Sequence, residues 1–210
     1  MGSSIDDAIR HAVRQYYEAK LREYGPTPQG VDWNSNASQY LRFRQLIRLL
    51  PDDTTLRFSV MDYGCGYGAF YELLSKQWPN AEIWGYDLSC EMIEAARRKY
   101  PHARWVMRLP GKGSIDYVLA SGVFNVRFQF PEEMWRQYVI RELHAMAGVA
   151  RKGFAFNMLT IYADPERMRN DLFYADPAFF FDYCKRNIGP RVALLHDYHL
   201  YEFTLLIYKD

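Results

Sequence analysis

The segment FSVMDYGCGYGAFYELL, residues 58–74, decides the fold class of this chain. Its apolar start is typical of a buried strand. The acid Asp62 is followed by glycines at 64, 66 and 68, and an amphipathic helical pattern begins at Ala69. Glycine lets the backbone turn sharply and approach a ligand closely, and a helix N-terminus presents unpaired N–H groups. The segment therefore predicts a strand, a ligand-binding turn and a helix.

Short apolar runs alternate with amphipathic stretches on either side of this segment. Such alternation is typical of βα units around a mostly parallel sheet. The predicted strands are 58–62, 82–86, 103–107, 115–120 and 154–160. The predicted helices are 5–24, 36–50, 69–77, 91–100 and 131–147.

The segment GYDLS, residues 85–89, places Asp87 at the end of the second of these strands, 23 residues after Gly64. A carboxylate in that position accepts hydrogen bonds from both hydroxyls of a ribose, and Ser89 is suited to cap the following helix. Two alternatives stay open. In the first, the only role of Asp87 is to cap the helix. In the second, Gly64, Gly66 and Ala69 form a dinucleotide-binding fingerprint with alanine in third place.

The segment DYGCGYG, residues 62–68, resembles the first motif of the class I S-adenosylmethionine-dependent methyltransferases, and GYDLS resembles their ribose-binding motif. The resemblance covers about residues 57–210, because the end of the chain resembles the family's antiparallel strand. It implies a Rossmann-like α/β sandwich. The sheet would be mostly parallel and seven-stranded with an antiparallel C-terminal strand, and an N-terminal helical cap would precede it.

The resemblance implies S-adenosylmethionine as the cofactor and S-adenosylhomocysteine as its product. Asp62 would support the turn and the methionine end of the cofactor, and Asp87 would hold the ribose. The residues implied around the cofactor are Asp62, Gly64, Cys65, Gly66, Gly68, Asp87, Leu88, Met92, Leu109 and Ser121. One feature departs from the family. No acid lies between Tyr100 and Asp116, so adenine recognition is expected to use backbone groups near Arg108 and Leu109.

The chain is predicted to form one domain, 1–210, with a helical cap at 1–51, a cofactor-binding core at 52–160 and substrate-side helices with a β-hairpin at 161–210. The tetrapeptide YADP occurs at 162–165 and 174–177, and each Asp-Pro pair predicts a short helix capped by the Asp. The hairpin is predicted to turn at a tight corner, residues 196–198. The segment 161–187 is either a lid on the pocket or a homo-oligomer surface.

The charge is nearly balanced, since 26 Lys and Arg face 25 Asp and Glu for a formal net charge of +1. This balance argues against a nucleic-acid partner, which requires clustered positive charge. Three cysteines without CxxC spacing argue against a disulfide framework and a metal site, so a cytoplasmic location is expected. No apolar run reaches the length of a membrane span, and no membrane partner is expected.

These observations predict methyl transfer to the oxygen or nitrogen of a small-molecule acceptor. In such sheets ligands bind beyond the carboxyl ends of the strands. The candidate acceptor-binding residues are Tyr17, Trp33, Asn125, Arg127, Asn157, Tyr162 and Tyr198. The candidates for proton removal are His196, His199 and Tyr17, although a histidine in a turn is often only structural.

Three other functions stay open: a non-catalytic subunit that binds S-adenosylmethionine, an NAD-dependent oxidoreductase, and an enzyme that transfers the aminocarboxypropyl arm of the cofactor. The chain also contains 17 Tyr, 13 Phe and 5 Trp. This aromatic excess indicates either a Tyr-rich core and rim or an aromatic-walled pocket.

Overall fold

The computed structural model describes residues 4–33 and 35–209. They divide into two compact units. The first comprises the chain up to Phe43 and Pro51–Leu109, and the second comprises Arg44–Leu50 and the chain from Pro110 onward. The first helix of the predicted cap thus belongs to the same unit as the glycine-rich turn.

Three parallel strands form the sheet of the first unit, with β2 between β1 and β3. Asp62 on β1 is aligned with Gly85 on β2, so the turn after β1 and Asp87 after β2 lie side by side. The strands are β1 (Ser59–Tyr63), β2 (Glu82–Tyr86) and β3 (Arg104–Val106). The helices that begin in this unit are α1 (Ser4–Tyr24), α2 (Asn36–Leu46), α3 (Ala69–Gln77) and α4 (Cys90–Lys99).

The indole of Trp105 on β3 lies against both β2 and the glycine-rich turn. A Cβ atom added to Gly85 would lie 2.2 Å from this ring, and one added to Gly68 would lie 2.6 Å from it. Trp105 is buried with Cys65 and Ile93, and its indole N–H donates to the Tyr100 carbonyl at 2.8 Å. The glycines at 68 and 85 therefore make room for the ring that packs the turn against the sheet.

The second unit contains five strands. β4 is parallel to β5, the two-residue β6 is parallel to the end of β5, and β8 is antiparallel to both β5 and β7. The strands are β4 (Ile115–Ala120), β5 (Ala150–Thr160), β6 (Tyr174–Ala175), β7 (Arg191–Leu195) and β8 (Glu202–Tyr208). The helices are α5 (Glu132–Val149) and α6 (Pro177–Asn187). Aromatic side chains dominate this core, with Phe124, Trp135, Phe154, Phe156 and Phe203 fully buried.

Several predicted elements have the bounds that the sequence indicated, namely β2, β4 and α3. The predicted cap of α4 is also confirmed, because the Ser89 hydroxyl accepts a hydrogen bond from the Met92 N–H at 3.2 Å. The helix predicted to reach residue 50 ends earlier, at Leu46, and continues as the 3-10 turn Ile47–Leu49. The described residues hold eight strands rather than seven, and the short β6 accounts for the difference.

The prediction for the repeated YADP segments is correct for the second. For the first, a short 3-10 helix begins at Pro165 as expected, but the Asp164 side chain does not cap it. Asp176 caps α6, since its carboxylate accepts from the Ala178 N–H at 2.8 Å. After Asp164 there is only the single 3-10 turn Pro165–Arg167. The Asp164 carboxylate accepts a hydrogen bond from the Tyr201 hydroxyl, so it does not cap a helix.

The predicted hairpin is present, but the tight corner at residues 196–198 is wrong. β7 ends at Leu195 and β8 begins at Glu202, so the connection is a longer loop. This loop forms its own hydrogen bonds. The Tyr198 hydroxyl pairs with the Thr204 hydroxyl at 2.8 Å, and the Leu200 N–H donates to the Tyr198 carbonyl at 2.8 Å.

Two features are absent from the described ranges, 4–33 and 35–209. No helix in them combines the length and the hydropathy needed to cross a membrane. No group of three or more His, Cys, Asp and Glu side chains in them is arranged to hold a metal ion.

Candidate functional site

The carboxylate of Asp87 is fixed by the backbone of both predicted cofactor motifs. Its Oδ2 accepts from the Gly66 N–H at 2.9 Å, and its Oδ1 accepts from the Ser89 N–H at 2.9 Å. Burial raises the pKa of Asp87, and the hydrogen bonds from Ser89 and Gly66 oppose that rise. The Leu88 backbone N–H also lowers the pKa of this carboxylate by hydrogen bonding, and a carboxylate with about four lone pairs still has room for a donor such as a ribose hydroxyl.

Asp62 is a second buried acid at the same end of the sheet. It is 5% exposed. Burial and the nearby Asp87 carboxylate raise the pKa of Asp62 to about 8. Among the described residues, neither Asp62 nor Asp87 forms an ion pair with a basic side chain. A cation beside these two acids would stabilise their ionised forms and lower the pKa of Asp62, whereas an anion would raise it further, so this end of the sheet favours a cationic ligand.

The glycine-rich turn requires glycine at its central positions. Gly64, Gly66 and Gly68 have φ angles of 74°, 52° and 83°, a region that costs other residues about 1–2 kcal/mol. A Cβ on Gly66 would also lie 3.0 Å from Cγ1 of Val31. Cys65 is buried beside this turn, and burial raises its pKa well above the ordinary value.

Side chains of the N-terminal segment cover part of the turn. Tyr67, Met92 and Ala95 form a buried cluster, against which Tyr17, Leu21, Val31 and Ala69 pack. Met92, expected beside the adenine, therefore lies in an apolar cluster under α1. Burial and the nearby Asp32 raise the pKa of Tyr17. The hydroxyl of Tyr17 stays protonated near neutral pH, which argues against its role as a phenolate base.

Two predicted acceptor-binding residues, Asn125 and Asn157, have side-chain hydrogen bonds within the second unit. Asn157 is fully buried. Its Oδ1 accepts from the Gly122 N–H at 2.7 Å, and its Nδ2 donates to the buried Glu202 at 3.1 Å. The Asn125 Oδ1 accepts from the Leu159 N–H at 3.3 Å. Both amides fasten loops to β5, which is a structural use of these side chains.

Arg127 and Trp33 also have structural partners. The Arg127 guanidinium donates to the carbonyls of Phe130 at 2.7 Å and Asn170 at 2.8 Å. The ring of Trp33 lies under the Arg42 guanidinium, with 4.1 Å between the guanidinium carbon and the ring centroid.

The remaining acceptor and base candidates lie in the loops after β5 and β7. Tyr162 is 67% exposed, and its ring centroid is 5.8 Å from that of His196. His196 also contacts Phe203, and Tyr198 is bonded to Thr204. His199 is exposed. The structure thus brings together Tyr162 and His196 as an exposed aromatic pair.

With this geometry established, similarity to known proteins identifies the family. A family model described as a methyltransferase domain matches residues 60–147. The Mycobacterium tuberculosis protein named "Putative methyltransferase Rv1506c" is 42% identical over 155 residues, which cover 72% of this chain and 93% of that protein. This chain belongs to the class I S-adenosylmethionine-dependent methyltransferase family.

Two further similarities are to a solved structure and to a curated relative. One is the structure of magnesium protoporphyrin IX methyltransferase from Synechocystis PCC 6803, solved with bound S-adenosylmethionine. It matches this methyltransferase with a TM-score of 0.64 and 16% sequence identity, and the match covers 100% of this chain and 99% of that chain. The trans-aconitate 2-methyltransferase of Rhodopseudomonas palustris (strain BisB18) is 37% identical over 111 residues. That match spans 45% of this chain and 40% of that protein. The predicted fold class is confirmed.

Three other implied cofactor residues of this methyltransferase lie beyond strand ends. The Ser121 hydroxyl, directly after β4, is buried, and within the described residues it has no hydrogen-bond partner. A buried hydroxyl without a partner is costly, so this atom fits a site completed by a ligand. Leu88 and Leu109 are partly exposed beyond β2 and β3, where adenine packing requires apolar surface.

Three acidic side chains that contact the predicted site residues of this methyltransferase or their neighbours were not predicted from the sequence. Glu18 accepts a hydrogen bond from the Ser89 hydroxyl at 2.9 Å. Asp32 accepts from the Tyr16 hydroxyl at 2.9 Å. Glu202 is buried beside Asn157. No motif marks these positions. The only signal is the presence of an acid within an otherwise apolar strand pattern at residue 202.

Proposed function

We propose that this chain transfers the methyl group of S-adenosylmethionine to the oxygen or nitrogen of a small-molecule acceptor. The observation that carries the proposal is the arrangement of Asp62, Asp87 and the Gly66 N–H at the ends of β1 and β2. Family membership supports methyl transfer, and this arrangement supports the cofactor.

Charge favours S-adenosylmethionine over a nicotinamide dinucleotide. A dinucleotide brings an anionic pyrophosphate to the glycine turn. The sulfonium and the ammonium of S-adenosylmethionine are cations. The raised pKa of Asp62, about 8, reflects a buried acid without a basic partner. A cation near Asp62 stabilises its carboxylate, whereas a pyrophosphate adds repulsion.

Bound S-adenosylmethionine supplies an electrophilic methyl group. Asp87 would accept hydrogen bonds from the ribose hydroxyls through the lone pairs that Gly66 and Ser89 leave free. The turn at Gly64, Gly66 and Gly68 would bring its backbone close to the methionine portion. Ser121 would donate to or accept from the same portion. Leu88 and the Leu109 backbone would lie beside the adenine, and Met92 would support the turn from the buried cluster under α1.

Catalysis would come mainly from holding the acceptor in line with the methyl group, since alignment alone lowers the barrier of a displacement considerably. Proton removal would fall to His196 or His199. Tyr17 stays protonated and would act as a hydrogen-bonding side chain. Tyr162, with its ring beside His196, would contact the acceptor directly.

The proposed acceptor is a small molecule with an apolar or aromatic portion. The exposed ring of Tyr162 supports this class, and so does the near-zero net charge, which opposes nucleic acid. The relatives named trans-aconitate 2-methyltransferase are a precedent for a small acceptor. Asn125, Arg127, Asn157, Trp33 and Tyr198 would support the acceptor region through the contacts described above. A cytoplasmic location and a homo-oligomer remain proposals, and light scattering tests the latter.

The test begins with calorimetric titration of the purified chain with S-adenosylhomocysteine and with NAD. We expect binding of the first and loss of that binding in Asp87→Ala. Binding of NAD alone would favour an oxidoreductase. Incubation with labelled cofactor and fractionated metabolites then measures transfer. Formation of methylthioadenosine would identify aminocarboxypropyl chemistry, and transfer only with an added protein would identify a non-catalytic subunit.

A further inference from the structure

Residues 4–33 contain a helix and a loop that are joined by hydrogen bonds and an ion pair. The loop after α1 folds back so that Asp32 accepts from the Tyr16 hydroxyl at 2.9 Å and pairs with the Lys20 ammonium at 3.3 Å. Gly30 lies so close to Gly25 that an added Cβ would be 2.1 Å from its carbonyl oxygen. Residues 4–33, which we name the N-terminal arm, therefore form one preorganised piece.

This arm lies on the cofactor turn. Val31 reaches Gly66, where an added Cβ would be 3.0 Å from the Val31 Cγ1. Tyr17 and Leu21 pack on the cluster that contains Tyr67 and Met92. A ligand held by the turn and by Asp87 would therefore lie adjacent to the arm.

Two polar contacts join the arm to the start of α4. The Ser89 hydroxyl donates to Oε1 of Glu18 at 2.9 Å. The Arg22 guanidinium donates to Glu91 through its Nε at 2.9 Å, with a second hydrogen bond from its terminal nitrogen. Glu18 is well shielded, with 17% of its side chain exposed, whereas Arg22 is 64% exposed. The Glu18 contact is thus less screened by solvent than the Arg22 contact.

The Glu18 contact continues to the predicted ribose-binding acid. Ser89 donates its hydroxyl to Glu18 and its backbone N–H to Asp87. Asp87 in turn accepts from the Gly66 N–H. One hydrogen-bonded chain therefore links the arm, the helix cap, the ribose carboxylate and the glycine turn.

We propose that Glu18 is a positioning residue which, with Arg22, latches the N-terminal arm over bound cofactor and sets the rate of cofactor and product exchange. The proposal rests on the proposed function for the identity of the ligand. Glu18 acts through Ser89, since it orients the group that holds Asp87. Arg22 adds a weaker, salt-sensitive contact between the same two elements.

The experiment compares dissociation rates of S-adenosylhomocysteine from the full chain by stopped-flow displacement. Glu18→Ala removes the acceptor of the Ser89 hydroxyl, and we expect dissociation about 10-fold faster, as for loss of one hydrogen bond to a charged group. Glu18→Gln keeps an acceptor oxygen and should restore most of the wild-type rate. Arg22→Ala should accelerate dissociation about 2- to 5-fold at low salt.

Arg104→Ala is the matched control, because it removes an exposed ion pair with Glu82 in the same unit. It should leave the dissociation rate unchanged. A wild-type rate in a folded Glu18→Ala variant would overturn the latch. If that variant does not fold, Arg22→Ala decides, and an unchanged rate at low salt would overturn the latch. Failure of the wild-type chain to bind S-adenosylhomocysteine would overturn the proposed function instead.

Discussion

The backbone N–H of Gly66 donates a hydrogen bond to Oδ2 of Asp87 at 2.9 Å, across 21 positions of the chain. This bond joins the glycine-rich turn after β1 to the acid after β2. Asp87 therefore has two roles, because it holds the turn in shape and presents lone pairs to a ligand. Substitution of Asp87 tests both roles at once.

For Asp87→Asn we expect a loss of S-adenosylhomocysteine affinity of about 100-fold or more. The amide has one acceptor oxygen, so its NH₂ group faces either the Gly66 or the Ser89 N–H, and a charge-assisted hydrogen bond is lost. The free energy of unfolding should fall by about 1–3 kcal/mol. Calorimetric titration and urea unfolding measure the two effects. Glu82→Gln is the control, because Glu82 is an exposed acid at the start of the strand that precedes Asp87. Unchanged affinity in Asp87→Asn would exclude Asp87 from the ribose site.

Gly66→Ala should destabilise the protein for two separable reasons. Its φ of 52° costs about 1–2 kcal/mol for a residue with a Cβ, and that Cβ would press on Val31 at 3.0 Å. Gly113 has φ of 63° and an empty surrounding, so Gly113→Ala measures the conformational cost alone. We expect the cost of Gly66→Ala, measured by urea unfolding in a Val31→Ala background against Val31→Ala alone, to approach that control. Equal costs for the two single variants would show that Val31 does not crowd the turn.

The buried Asp62 predicts a particular pH dependence of stability. Its pKa rises from an ordinary 3.8 to about 8 on folding, so the folded state binds the proton more tightly than the unfolded state. The free energy of unfolding should therefore decrease as the pH rises from about 4 to about 8, because Asp62 loses its proton more readily in the unfolded state. Asp62→Asn should remove that decrease. Urea unfolding at several pH values measures both proteins, and parallel curves would contradict the assignment to Asp62.

Asn157→Leu should destabilise the second unit by about 2–5 kcal/mol. The substitution leaves the Gly122 N–H without its acceptor and removes a donor from the buried Glu202. Urea unfolding measures this loss.

Tyr162→Ala changes a residue that is 67% exposed, so it should leave stability within about 0.5 kcal/mol of wild type. If Tyr162 contacts the acceptor, only the acceptor KM rises in that variant. A stable Asn157→Leu protein with a raised KM would instead assign Asn157 to acceptor binding.

Much of the first unit was predictable because its signals are local. The strand, turn and helix of residues 58–74 follow from an apolar run, three glycines and a helical period. Ser89 caps α4 as predicted, since capping depends on a hydroxyl and the N–H groups within the next three residues. The same local logic explains α6, which begins after Asp176.

Local sequence signals failed where a side chain forms its hydrogen bond with a residue distant in the chain. Asp164 has the same YADP context as Asp176, but it accepts from the hydroxyl of Tyr201, 37 positions away. The predicted acceptor residues Asn125 and Asn157 likewise have buried partners within the second unit. A sequence pattern cannot show that a polar side chain is already occupied.

The sequence by itself determined the family fold and the two cofactor motifs, because backbone freedom at glycine and hydrophobic periodicity are properties of neighbouring residues. Only the tertiary structure decided what covers those motifs. Glu18 lies on α1 and Ser89 caps α4, 71 positions away, so their hydrogen bond exists only once α1 packs on α4. Packing of distant segments, which depends on the whole unit, placed the N-terminal arm on the glycine turn.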